Sequence, residues 1–352
     1  MQLLNKTLAN IQAPCAASQK AAKERLDNLT KPPGSLGLLE EIAYRMAGMQ
    51  GNSLPQLPQE KLVAVFAGDH GVVAEGVSAF PQEVTPQMVL NFLRGGAAIN
   101  VLARQAGARV VVADIGVAGA PMEHPELINC RIKAGTANFT EGPAMSREEA
   151  VRAIETGIGL VRQQVKERPA LVGLGEMGIG NTTASSAVLA AFSGLQADRI
   201  TGRGTGIDEH RLQHKISVIQ RALEVNRPDP GDGLDVLAKV GGLEIAGLAG
   251  VILGCAAEKI PVVIDGFISG AAALVACALS PLSREYLFAS HVSAEPGHNH
   301  VLEILNLKPL LHMDMRLGEG TGAVLAFPII ESAIHILHEM ATFAEAGVSQ
   351  GK

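Results

Sequence analysis

The sequence predicts an α/β fold: a doubly wound parallel sheet with flanking helices, plus a small helical subdomain formed by both chain ends. Three observations carry this. Short β-branched runs alternate with helix-length patterns along most of the chain. Each run is apolar throughout, as a strand covered on both faces must be. The polar and glycine-rich punctuation follows the strands, in "AGDHG", "GLGEMGIGN", "DGF" and "SHVSAEPG", and in such sheets ligands sit at the C-terminal strand ends.

The first 50 or so residues read as helices, "AASQKAAKERLDNL" and "LLEEIAYRMAGM", around a "KPPGSLG" loop at 31–37. Then "LVAVFAG" (62–68) is a strand that leads into helices within "TPQMVLNFLRGGAAINVLARQAG", and "RVVVADIG" (109–116) is the next strand. "ALVGLG" (170–175) runs into the helix "NTTASSAVLAAF", "PVVIDG" (261–266) into "FISGAAALVACAL", and "YLFASH" (286–291) precedes another helix. A final helix at about 323–344 is followed by no strand pattern and is expected to pack against the N-terminal helices. The division that follows is 1–55 for the N-terminal part of the small subdomain, 56–322 for the large α/β domain and 323–352 for the C-terminal helix.

Composition narrows the partners. The 352 residues are 47% hydrophobic and 18% charged, with 39 glycines, which supports a large core with many tight turns and argues against disorder. A net charge of −6 lacks the clustered Lys and Arg of a nucleic-acid footprint. With no Trp and only Tyr44 and Tyr286, a base-stacking platform is not expected either, and a small-molecule substrate fits better. The four cysteines are widely spaced without a CxxC pair, and Cys255 and Cys277 fall in apolar helical runs, which points to free thiols in a reducing cytoplasm. Residues 1–14 lack the continuous apolar core of a signal peptide. Residues 242–282 raise the question of a membrane span, but Glu244, Glu258, Lys259 and Asp265 interrupt them. The GxxxG of Gly250 and Gly254 is therefore expected to pack helices in a soluble core.

Several loops could carry chemistry. "GLGEMGIGNTT" (173–183) follows a strand and opens a helix, and Gly173, Gly175 and Gly178 formally match GxGxxG. That match is weak away from the first βαβ unit. A phosphate or carboxylate at the helix N-terminus, or a tight turn with close helix–sheet packing, are the competing readings. "TGRGTGID" (201–208) is either a second phosphate turn, with Lys215 one to two turns further on, or a helix start with Asp208 in its first turn. "FAGDHGV" places Asp69 and His70 at a strand end, as an acid–base pair or as a turn with a capping Asp. The pairs His210/His214 and His335/His338 have helix spacing, yet no HExxH or cysteine-containing set completes a metal site, and no metal or cofactor is called for. GxSxG and GxxxxGK[ST] are absent. "RLGEGTGA" (316–323) sets a carboxylate, Glu319, inside a glycine-rich helix start. Such a start favours anions, so Glu319 is either an ordinary first-turn acid or a proton acceptor.

Taken in order, "KPPGSLG", "GDHGV", "FPQEVT", "GEMGIGNTT", "KVGGLEIAGLAG", "DGFISGAAAL", "SHVSAEPGH" and "LHMDMRLGEGTGA" span some 290 residues. With them the chain closely resembles the nicotinate-nucleotide:5,6-dimethylbenzimidazole phosphoribosyltransferase family. The resemblance implies a Rossmann-like sheet, a homodimer, and transfer of phosphoribose from β-nicotinate mononucleotide to a benzimidazole with inversion at C1′. It implies Glu319 as the catalytic carboxylate that takes the ring N–H proton, with Glu176 as a second carboxylate. Phosphate and ribose contacts fall to Gly178, Asn181 and Thr182, with Gly202, Gly204, Lys215, Asp265 and Ser293 as further members. The benzimidazole pocket falls near Phe80, Pro81, Met88, Met177 and Leu317. A nicotinamide-dependent oxidoreductase, on the GxGxxG match, and a non-catalytic nucleotide- or corrinoid-binding protein are the alternatives.

Overall fold

The computed structural model describes residues 1–204 and 206–349. Among them, seven strands form one sheet: β1 (Glu60–Gly68), β2 (Arg109–Gly116), β3 (Leu127–Asn129), β4 (Ala170–Met177), β5 (Val262–Ile264), β6 (Leu287–Val292) and β7 (Pro309–His312). All neighbours are parallel, in the order β3-β2-β1-β4-β5-β6-β7. Helices α1 (Gln2–Asn10), α2 (Ala16–Asp27) and α3 (Leu38–Gln50) precede the first strand. Between β1 and β2 lie α4 (Val84–Leu93) and α5 (Ala98–Ala106), and α6 (Arg147–Gln164) separates β3 from β4. The long connection from β4 to β5 holds α7 (Asn181–Ser193), α8 (Ala197–Ile200), α9 (Glu209–Asn226), α10 (Gly233–Val240) and α11 (Leu243–Ala257). Then α12 (Phe267–Leu279) and α13 (Gly297–Leu305) join the last strands, and α14 (Thr321–Glu339) and α15 (Phe343–Ala346) close the chain.

The near-continuous apolar strands follow from burial on both faces. Residues Leu62–Gly68 of β1 are all buried, and the pleat sends alternate side chains opposite ways. Val63 and Val65 lie beside the start of α14, at Gly320 and the Glu319–Gly175 contact, while Phe66 meets Gly247 of α11. Thus α14 and α11 cover opposite faces. Helix α11 also lies tightly on α6: a Cβ on Gly250 would fall 2.0 Å from the Ile154 carbonyl oxygen, and one on Gly157 only 1.9 Å from that of Gly247. The glycines of the GxxxG run thus serve buried helix packing, and almost every residue of α11 is buried.

The chain ends meet. Leu29 and Thr342 form an isolated antiparallel bridge, Thr30 N donates to the Ala341 carbonyl at 3.0 Å, and Arg25 Nε donates to Leu337 O at 2.7 Å. Helix α1 instead lies against α6 and α11, with Leu4 N donating to Glu155 Oε1 at 3.0 Å. Helix α14 contains Pro328 and stops at Glu339, where Met340 turns extended, before the short α15. It is also long and apolar enough to cross a bilayer, with 56% of its apolar window buried inside the fold. Strands β3 and β7 have no counterpart in the sequence reading. They are the two edge strands, three and four residues long.

The sheet order fixes where a ligand can go. From β1 the chain runs outward through β2 and β3, then returns to place β4 on β1's other side. The switch point between β1 and β4 opens a crevice at the C-terminal strand ends.

Candidate active site

A cavity of about 680 Å³ lies at the C-terminal ends of β4 to β7, on the same side of the sheet. Its walls are the segments that leave β4 (Glu176 to Thr182), β5 (Asp265 to Ser269), β6 (His291, Ser293, Glu295) and β7 (Arg316 to Glu319), with Phe80, Val84 and Met88 from the region of α4 and Gly204 from the turn before α9.

The glycines of "GLGEMG" serve close packing. A Cβ on Gly173 would lie 3.1 Å from the Phe327 ring of α14, and one on Gly175 would lie 2.3 Å from the carbonyl oxygen of Glu319. On Gly178 it would lie 2.1 Å from the carbonyl oxygen of Gly68. The GxGxxG match is thus accounted for by the approach of α14, its leading loop and β1, and it sits on β4 rather than on the first strand.

Three successive residues of the loop before α14 take left-handed backbone: Gly318 at φ +87°, Glu319 at +64° and Gly320 at +92°. For Glu319, which has a Cβ, this costs about 1–3 kcal/mol and needs ties from outside. They are present. Asp265 Oδ1 accepts from Gly322 N (2.6 Å) and Ala323 N (3.2 Å), and Asp265 Oδ2 accepts from Gly320 N (3.1 Å). The Glu319 carboxylate reaches across to α5 and accepts from Ile99 N at 3.2 Å through Oε2. Burial pushes the Glu319 carboxyl above its ordinary value, and the Ile99 N–H pulls it part of the way back.

Glu176 is the second acid. Its Oε2 accepts from the Asn181 side-chain amide, and the Glu319 backbone N–H also bonds its carboxyl. Burial, then the proximity of Asp265 and Glu244, lifts it to about 8. Asp265 is lifted to about 7 by burial, against the pull of its three backbone N–H partners. Three neighbouring carboxyls of this kind titrate as a coupled set, so at neutral pH they do not all carry charge. Glu176, lifted to about 8 with two N–H partners against the three of Asp265, is held more strongly toward its protonated form than Asp265.

At the other end lies Lys215. The buried ammonium donates to Thr182 Oγ1 at 2.8 Å and to the Gly202 carbonyl at 3.3 Å, and burial lowers it to about 8 despite the nearby Glu295. Arg316 Nη1 donates to Gly204 O at 3.0 Å. Asp208 is the N-cap of α9 rather than a first-turn acid, with its side chain accepting from Arg211 N. Thr205 lies outside the described residues.

Of the residues singled out from the sequence, the cavity wall brings together Glu319, Glu176, Phe80, Met88, Met177, Gly178, Asn181, Thr182, Gly204, Asp265, Ser293 and Leu317. Pro81, Gly202 and Lys215 are not part of the wall; Lys215 and Gly202 stand behind Thr182 and Gly204. Sequence reasoning did not pick out His291, Glu295 and Arg316. His291 lies near the end of β6 and Glu295 just beyond it, so the placement of ligands at C-terminal strand ends could have found them. Arg316 follows β7, a strand that carried no clear sequence signal. Asp69 and His70 turn away from the cavity. Asp69 accepts from Thr85 Oγ1 and Ala118 N, both at 2.7 Å, and His70 Nε2 pairs with Glu244 Oε1 at 2.7 Å in full burial. They brace β1, α4 and α11.

A family profile described as Phosphoribosyltransferase matches residues 11–348. The chain is 73% identical, over 351 residues and 100% of both chains, to the nicotinate-nucleotide–dimethylbenzimidazole phosphoribosyltransferase of Desulforamulus reducens. It is 58% identical to that of Chloroflexus aggregans over 352 residues, 100% of this chain and 99% of that one. The crystal structure of CobT from Thermus thermophilus superposes with a TM-score of 0.91 at 51% identity, covering 95% of this chain and 100% of that chain.

Proposed function

The chain belongs to the nicotinate-nucleotide–dimethylbenzimidazole phosphoribosyltransferase family, and from that premise we propose how its cavity carries out the transfer. The protein moves phosphoribose from nicotinate nucleotide to dimethylbenzimidazole, a step of cobalamin biosynthesis.

Glu319 is the general base. The neutral ring nitrogen of the benzimidazole attacks ribose C1′ as the bond from C1′ to the nicotinate nitrogen breaks. Nicotinate was a pyridinium in the nucleotide, so it takes that electron pair and leaves without a proton. The benzimidazole becomes cationic, and its remaining N–H passes its proton to the Glu319 carboxylate. Attack on the face opposite the leaving group inverts C1′ from β to α with no covalent enzyme intermediate. Positive charge grows on both ribose and incoming ring, and a cavity edged by Glu319 and Glu295 favours it.

The observation that carries this reading is the placement of the Glu319 carboxylate. It is held by Ile99 N at one wall of a cavity whose lining also includes Phe80, Met88, Met177 and Leu317, apolar surface suited to a flat bicyclic base, with Pro81 adjoining Phe80. Glu176, neutral near pH 7, donates its proton in a hydrogen bond to the ribose. Gly178, Asn181 and Thr182 at the start of α7 receive the ribose phosphate, an arrangement helix N-termini favour. Gly202, Gly204, Lys215 and Ser293 complete that end. A homodimer in the cytoplasm belongs to the same reading.

Replacing Glu319 by Gln tests it. The variant is expected to lose about 10²–10⁴ in kcat while its Kd for nicotinate mononucleotide stays near that of the parent. Full turnover in Glu319→Gln would remove Glu319 from the chemistry.

A further inference from the structure

We propose that Asp265 is the positioning residue for Glu319: it caps α14 from the end of a different strand and thereby holds the base in its left-handed loop, rather than contacting the ribose or phosphate. The inference rests on the reading of Glu319 as the base.

The N-cap position of α14 is Gly320, which has no side chain with which to satisfy the first N–H groups of the helix. Asp265, 55 to 58 residues earlier in the chain, does so instead. Its Oδ1 takes the N–H groups of Gly322 and Ala323, and its Oδ2 takes that of Gly320, the residue next to Glu319. A carboxylate at a helix N-terminus gains from both the hydrogen bonds and the helix dipole.

Asp265 is itself fixed. Its backbone N–H donates to Ser269 Oγ at 2.9 Å, and its carbonyl accepts from Ser290 Oγ at 2.8 Å. The nearest ring, His291, has its Nδ1 3.9 Å from Oδ1 and is held toward the neutral form by burial. Glu176 and Glu319 share the cavity wall with it. Only 2% of Asp265 is exposed, although it borders the cavity, because its carboxylate is turned onto the α14 backbone.

On its other side the loop meets β4, where the Glu176 carboxyl takes the Glu319 N–H. There Glu319 O abuts Gly175 of β4, where any Cβ would collide with it. The loop is thus seated against β4 by shape and by one N–H bond to Glu176, and drawn to β5 by the three N–H bonds to Asp265. Loss of the Asp265 carboxylate leaves the left-handed Glu319 free to relax, carrying its side chain away from the cavity.

A double-mutant cycle tests this with nicotinate mononucleotide and dimethylbenzimidazole as substrates. Asp265→Asn turns an acceptor oxygen into an amide N–H group that faces backbone donors. It is expected to lower kcat about 100-fold, with KM for nicotinate mononucleotide changed by no more than about threefold. Because Asp265 acts through Glu319, the Asp265→Asn, Glu319→Gln double variant should be no slower than Glu319→Gln alone, within about twofold. Asp265→Glu keeps the anion and should recover part of the lost kcat. Losses that multiply in the double variant, or a raised KM at unchanged kcat, would mean a direct substrate contact and overturn the proposal. So would failure of both Asp265→Asn and Asp265→Glu to fold, since Asp265 would then be a determinant of the fold and not of the loop. A Glu319→Gln enzyme as fast as the parent is a separate outcome: it refutes Glu319 as the base.

Discussion

Replacing Gly175 by alanine plants a methyl group 2.3 Å from the carbonyl oxygen of Glu319 and 2.9 Å from Val65 Cγ2. A carbon–oxygen contact needs about 3.3 Å, so that carbonyl must retreat by about 1 Å. The obstructing atom is backbone, and no rotamer change can absorb the clash. The Gly318–Gly320 loop has to move, and the Glu319 carboxylate moves with it. A displacement of about 1 Å at a reacting group costs about 100-fold in rate, and overpacking adds about 1–3 kcal/mol of destabilisation. Steady-state kinetics with nicotinate release as the readout should therefore show kcat down about 100-fold in Gly175→Ala, with thermal unfolding a few degrees lower. Gly173→Ala is the control. It sits two residues back on the same face, but its Cβ meets the Phe327 ring at 3.1 Å and Ala323 Cβ at 3.2 Å. Those contacts need shifts of only a few tenths of an ångström, so this variant should lose some stability and keep kcat within about threefold. Parental kcat in Gly175→Ala, or equal losses in both variants, would refute the claim that β4 seats the base by steric fit.

Two further expectations come from the buried charges. Glu176, lifted to about 8, is protonated below that pH and ionises above it, so kcat should fall as pH rises through about 8, and Glu176→Gln should remove that alkaline limb. The same shift bears on stability: a raised carboxyl favours the folded state fully below its ordinary value near 4.5, and the contribution is lost as pH rises through about 8. Glu176→Gln should therefore unfold at a higher temperature than the parent at about pH 8.5, which differential scanning calorimetry reads directly. Lys215, lowered to about 8, loses its charge above that value. KM for nicotinate mononucleotide should accordingly climb at alkaline pH, and Lys215→Met should raise KM about 10- to 100-fold at about pH 7 with a smaller effect on kcat, as loss of a charged hydrogen bond predicts. An unchanged KM would detach Lys215 from the phosphate end.

The parts of this fold legible in the sequence are those where burial alone dictates residue type. Strands β1, β2 and β4, with β5 and β6 beside them, are covered on both faces, so "LVAVFAG" and its counterparts leave little choice of reading. Strands β3 and β7 sit at the sheet edges with partly exposed residues, and "LIN" or "PLLH" has neither the length nor the pattern to stand out. Boundaries depend on capping, which explains the end of α14: an apolar pattern continues toward residue 344, but the chain turns extended at Met340 to make its bridge with the N-terminal region.

For the site, the loops after strands were visible as glycine-rich stretches, while the division of labour among them was not. Gly173 and Gly175 fit either an anion turn or close packing from the sequence, and they serve packing, through the approach of α14 and its loop at Glu319 and Phe327, far along the chain. The resemblance puts Asp265 among the phosphate and ribose contacts, and only the three-dimensional arrangement reveals that it caps a helix starting at Thr321. His70 likewise meets Glu244, 174 residues later, a pairing that no local pattern announces.

The central claim is a single inverting displacement by the benzimidazole. Its most direct test is to mix the protein with β-nicotinate mononucleotide, with and without dimethylbenzimidazole, while following nicotinate release and the anomeric proton of the product by NMR. The account predicts release only when the base is present, matched one to one by the α anomer. Release without the base, or accumulation of the β anomer, would contradict it.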